Sequence, residues 1–122
     1  MFKIVDDTIC ITKGDDAKFK MAVSDSNGTE YEFQTGDKLV LTVRELPDSS
    51  SEAIFTVEST TNELTLSHSD TANAAVGRYS ADIQLLTADG MRYTVWPSLE
   101  GSSMYSIRNL KNFIIMPEVT DV

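Results

Sequence analysis

The sequence holds a single cysteine, Cys10, and a single histidine, His68, in 122 residues. One cysteine excludes an intrachain disulfide, so packing must hold the fold, and a reducing compartment is compatible with it. One cysteine and one histidine also exclude a zinc site built from those ligands. Positive charge is scarce: ten Lys and Arg stand against nineteen Asp and Glu, a formal net charge of −9. Such a surface repels phosphate backbones and anionic lipid headgroups, which argues against nucleic acid and membranes as partners. No run of about 20 apolar residues occurs that could be read as a membrane span. Met1-Phe2-Lys3-Ile4-Val5-Asp6-Asp7 meets charge too early for a secretory apolar core and predicts folding in a cytoplasm. A Gly-rich phosphate loop is also missing, because Gly101-Ser102-Ser103 lacks a lysine and a following helix.

What is present is the composition of a globular domain. Hydrophobic residues make up 41% and charged residues 24%, too apolar for disorder. The length predicts a single domain over residues 1–122 with room for a core. Short alternating or β-branched runs recur: residues 8–12, 17–24, 30–33, 38–45, 53–58, 63–67, 91–96 and 110–116. Turn signals separate them, among them Asp25-Ser26-Asn27-Gly28, Gly36-Asp37 and Ala88-Asp89-Gly90. Residues 46–52 and 97–109 read as loops, the first polar and the second rich in Ser and Gly. The only helical turn expected lies within residues 67–75, capped by Ser69 or Asp70.

The longest signal runs from Asp70 to Thr87. In it Tyr79, Ala81, Ile83 and Leu85 alternate strictly with Arg78, Ser80, Asp82 and Gln84, the mark of a half-buried strand. Many short strands without a long helix predict an all-β sandwich or barrel. Asp70-Thr71-Ala72 followed by Gly77-Arg78-Tyr79 resembles the corner of immunoglobulin-like domains in which a tyrosine hydroxyl bonds back to upstream backbone. Ala81 stands where such domains often carry a cysteine. The expectation is an immunoglobulin-like two-sheet β-sandwich without a disulfide. Its core would be Phe19, Met21, Leu39, Leu41, Val43, Phe55, Val57, Leu66, Tyr79, Ile83, Leu85, Tyr93 and Val95.

Four pieces in order carry a wider resemblance. They are Ile11-Thr12-Lys13-Gly14-Asp15 with Phe19, Gly36-Asp37-Lys38-Leu39-Val40-Leu41-Thr42-Val43-Arg44, Gly77-Arg78-Tyr79-Ser80-Ala81-Asp82-Ile83-Gln84-Leu85, and Pro117-Glu118-Val119-Thr120. Together they resemble the immunoglobulin-like N-terminal module of phage baseplate upper proteins and related phage tail and fibre proteins. The resemblance implies a non-enzymatic structural or adaptor role in a phage or prophage tail. It implies other tail or baseplate subunits as partners, with a homo-oligomer left open, and a virion tail location after a stay in the bacterial cytoplasm. It carries over no catalytic, cofactor-binding or metal-binding residue.

The residue chemistry points the same way. His68 has Ser67, Ser69 and Asp70 beside it, but sequence adjacency does not set up proton transfer, so a polar turn residue is expected. Cys10 between Ile9 and Ile11 reads as an inert strand residue. Asp6-Asp7 and Asp15-Asp16 lack the ligand spacing calcium needs, and so does Asp25-Ser26-Asn27-Gly28. Asp82 would face outward and pair with Arg92 or Arg44. Trp96, Met104 and Tyr105 form either an exposed patch of the kind interfaces use or a lid on the core. As a patch they also support a second reading, a carbohydrate- or ligand-binding sandwich that stacks its ligand on Trp96 and Tyr105. A small hydrolase centred on His68 has least support.

Overall fold

The computed structural model describes residues 2–5, 8–24, 27–45, 52–96 and 111–117. Among them are nine strands and one short helix: β1 (Phe2–Val5), β2 (Thr8–Thr12), β3 (Ala17–Lys20), β4 (Lys38–Arg44), β5 (Ala53–Ser59), β6 (Glu63–Leu66), α1 (His68–Ala72), β7 (Gly77–Leu86), β8 (Arg92–Trp96) and β9 (Phe113–Met116). They form a seven-stranded sheet in the order β1-β2-β9-β7-β4-β5, with β8 also on β7, and a two-stranded sheet of β3 and β6. The protein is an all-β, two-sheet sandwich. Every named pair is antiparallel except β2 with β9, which is parallel.

Alternation in β4 sets the core. Leu39, Leu41 and Val43 are buried, while the residues between them face outward. Leu41 lies opposite both Val57 of β5 and Ile83 of β7, so one apolar row crosses three strands. Ala17 and Phe19 of β3, opposite Leu66 and Leu64 of β6, close the other side. Each fully buried Leu or Ile contributes about 1.5–3 kcal/mol, so rows of this kind supply most of the folding drive.

The Asp70 to Thr87 stretch folds as one unit. Ser67 caps α1, a few residues ahead of the expected Ser69 or Asp70. Asp70 serves as the acceptor instead, taking the Ser67 backbone N–H on Oδ2 at 2.7 Å. The Tyr79 hydroxyl donates to the Ala75 carbonyl at 2.5 Å. The tyrosine corner is therefore present, closed onto the residue four positions upstream.

The structure departs from the sequence reading at three points. Residues 2–5, for which no strand was expected, form β1 and pair with β2. Residues 30–33 make no strand; Ser24 and Glu30 form one isolated bridge, and the Tyr31 N–H donates to the Val23 carbonyl at 2.8 Å. The third concerns β8. A bulge between Ile83 and Gln84 places Trp96 opposite Ile83 and Thr94 opposite Gln84, so Val95 is the extra residue. A one-residue slip exchanges the two faces of a strand. Trp96 is consequently buried at 7% exposure. Tyr93, beyond the bulge, keeps the expected register opposite buried Leu85, yet is 49% exposed rather than part of the core.

Candidate functional site

Two turns meet at one end of the large sheet. The first is built by Gly36-Asp37. The Asp37 N–H donates to the Gln34 carbonyl at 3.0 Å, and the Gln34 N–H returns to Asp37 Oδ2 at 2.8 Å. The Tyr31 hydroxyl donates to the same oxygen at 2.5 Å. The other carboxylate oxygen, Oδ1, accepts the Ala88 N–H at 2.9 Å, which fastens this turn to the hairpin between β7 and β8. Asp37 is only 2% exposed, so one buried carboxylate organises both turns. Gly36 is required by geometry. Its φ is +97°, and a Cβ placed there would lie 2.8 Å from the Ala88 Cβ.

The second turn is the Asp-Gly hairpin expected from the sequence. The Thr87 N–H donates to the Met91 carbonyl at 2.9 Å and the Gly90 N–H to the Thr87 carbonyl at 3.0 Å. Gly90 takes φ +92°, the left-handed position that closes a three-residue hairpin loop. The Thr87 hydroxyl donates to the Asp89 carboxylate, fixing that side chain over the turn.

Between the turns lies an open cleft of about 410 Å³, walled by Tyr31 and Tyr93, with Gln34, Asp37, Thr87, Ala88, Asp89 and Met91 around it. Tyr93 and Met91, at 49% and 51% exposure, are two of the four large apolar side chains left exposed among the described residues. The Tyr31 ring is held edge-on against Phe33, with centroids 5.7 Å apart. The electrostatics are negative. The Tyr31 hydroxyl and the Gln34 and Ala88 N–H groups hold the Asp37 carboxyl below the usual carboxylate range. The same bond to Asp37, then burial, then the charges of Asp37 and Asp89 push Tyr31 up to about 12. The arrangement offers ring faces, a thioether and carboxylates, which suits binding.

The side chains singled out from sequence lie elsewhere. Trp96 is part of the core, so it takes no part in an exposed patch; Met104 and Tyr105 lie outside the described residues. The stacking platform of Trp96 with Tyr105 therefore loses its first member. His68 opens α1 and is exposed; its Nδ1 lies 3.1 Å from Asp16 Oδ1, and its backbone N–H donates to the same oxygen at 2.5 Å. These bonds hold Asp16 below its ordinary value. The nearby Ser67 and Ser69 hydroxyls bond to each other at 2.8 Å. Cys10 is buried in β2. Asp82 sits opposite Thr42; burial pushes its carboxyl up, and the Arg44 charge pulls it back.

Among the described residues, no three His, Cys, Asp or Glu side chains gather into a group fit to hold a metal ion. No helix there is long and apolar enough to cross a membrane. The cleft escaped sequence reasoning because its two halves are about fifty residues apart. The available signal was Gly36-Asp37 and Asp89-Gly90, each read only as a break. Compared with family models and with curated proteins, the chain matches none.

Proposed function

We propose that this chain is a non-enzymatic structural or adaptor module of a phage or prophage tail, in a baseplate or fibre, that works by docking onto neighbouring tail subunits. The observation that carries the reading is the ordered set of four motifs. Two of its Gly-Asp pairs have the same task in the fold, which supports treating them as one scaffold signature. Gly14 donates its N–H to the buried Thr71 Oγ1 at 2.9 Å, tying the β2–β3 turn to α1. Gly36-Asp37 ties the turn before β4 to the β7–β8 hairpin. The third motif supplies the tyrosine corner. These residues stabilise connections, as a docking scaffold requires. The chain would fold in the bacterial cytoplasm and then join the virion tail. Copurification from cells producing particles tests the proposal: tail subunits should be recovered with the tagged chain in fixed ratio. A strictly monomeric protein that retains no tail subunit refutes it.

A further inference from the structure

The cleft between the 34–37 turn and the β7–β8 hairpin has chemistry that selects a particular partner. Among the described residues, its walls carry two tyrosine rings, one methionine and two carboxylates, and no cationic side chain. Asp37 is already committed to Tyr31, Gln34 and Ala88 and acts as a fixed negative charge at the base. Asp89 is exposed on the rim and held by Thr87. Tyr93 and Met91 remain half exposed on the edge strand and its approach, although nearby Leu85 of β7 is buried. A volume of about 410 Å³ exceeds what one side chain fills and suits a short peptide segment. Aromatic faces beside carboxylates attract a planar cation, which stacks on the ring while its N–H groups reach the acid. The net charge of −9 adds long-range attraction for a basic partner.

We propose that this cleft receives an arginine-bearing basic segment of a partner protein, stacked on Tyr93 and paired with Asp89. The inference rests on the docking reading and deepens it by assigning the docking surface and the partner's chemistry. Asp37 is the positioning residue, because it fixes Tyr31 and the two turns relative to each other.

The test uses the full chain and a defined probe, the blocked peptide acetyl-Gly-Arg-Arg-Gly-amide, titrated while backbone and methyl NMR signals are recorded. Shifts should concentrate on Tyr31, Ala88, Asp89, Met91 and Tyr93, and should weaken as salt rises. Tyr93→Ala and Asp89→Asn, both exposed and away from the core, should keep the native spectrum and weaken binding, Tyr93→Ala by about tenfold. The matching Gly-Glu-Glu-Gly peptide should not bind, and the Gly-Lys-Lys-Gly peptide should bind more weakly than the arginine one. Shifts scattered over the acidic surface, equal binding by the Tyr93→Ala variant, or no shifts overturn the inference. Particle association, measured separately, distinguishes the two claims. A chain that joins particles without cleft binding refutes only the cleft. A chain that binds the peptide at the cleft but never joins particles refutes the tail reading.

Discussion

Asn112 offers the sharpest test of how the fold is held. Its side chain is fully buried between strands. Its Oδ1 accepts the Ala81 N–H at 2.7 Å, and its Nδ2 donates to the Ala81 carbonyl at 2.8 Å. Its own carbonyl accepts the Ile9 N–H at 2.8 Å. The location explains the need. One edge of β7 is paired with β9 at residues 77–79 and with β8 from Ile83 onward. Ala81 falls in the gap, where neither strand supplies backbone partners, and the Asn112 amide fills it as a substitute peptide group. Asn112→Ala would leave one N–H and one C=O buried and unpaired, at about 1–3 kcal/mol each, so a loss of about 2–6 kcal/mol is expected. That is a large part of the 5–15 kcal/mol typical of a domain. Equilibrium urea unfolding measures it as a fall in midpoint at nearly constant slope. Asn112→Asp keeps the acceptor but loses the donor and buries a charge. It should also be destabilised at neutral pH, and should recover part of the loss in mild acid as the carboxyl gains a proton to donate. A change under about 0.5 kcal/mol for Asn112→Ala, within the range of surface substitutions, would refute the reasoning.

Other perturbations test the corner and the cleft frame. Tyr79→Phe removes the bond to the Ala75 carbonyl and should cost about 1 kcal/mol in the same unfolding assay. Gly36→Ala must hold a left-handed φ and meet the Ala88 Cβ at 2.8 Å. It should lose about 1–2 kcal/mol, and Ala88→Gly in the same chain should relieve the contact but not the backbone cost. Asp37 is held below its ordinary value in the fold. Its stabilising contribution is therefore complete above the unfolded-state pKa and is lost as pH falls through the folded value. Unfolding midpoints should fall in acid, and Asp37→Ala should flatten that part of the profile; an unchanged profile would contradict the assigned bonds.

The sequence made the strands readable wherever apolar residues alternate over several positions. β4 and β7 are the clearest cases, and the Gly77-Arg78-Tyr79 start of β7 also announced the corner. What escaped has identifiable causes. Trp96 turned into the core because of a bulge at Ile83/Gln84, which leaves no local sign in an alternating run. β1 was hidden because Phe2 to Val5 gains strand character only by pairing with β2. Asn112 looks like an ordinary polar residue before a strand; its role depends on Ala81, 31 positions away. The cleft was split in the same way, since Asp37 and Ala88 meet only after the sheet has formed. Turn chemistry was legible at each half, and the tyrosine, methionine and aspartate placed around it were not.

The tail reading meets its most direct test in gradient-purified particles. Quantitative mass spectrometry should find the chain at a fixed copy number in the tail fraction, in proportion to the other tail subunits. A chain that is folded and abundant in the producing cell yet absent from purified particles would contradict the account.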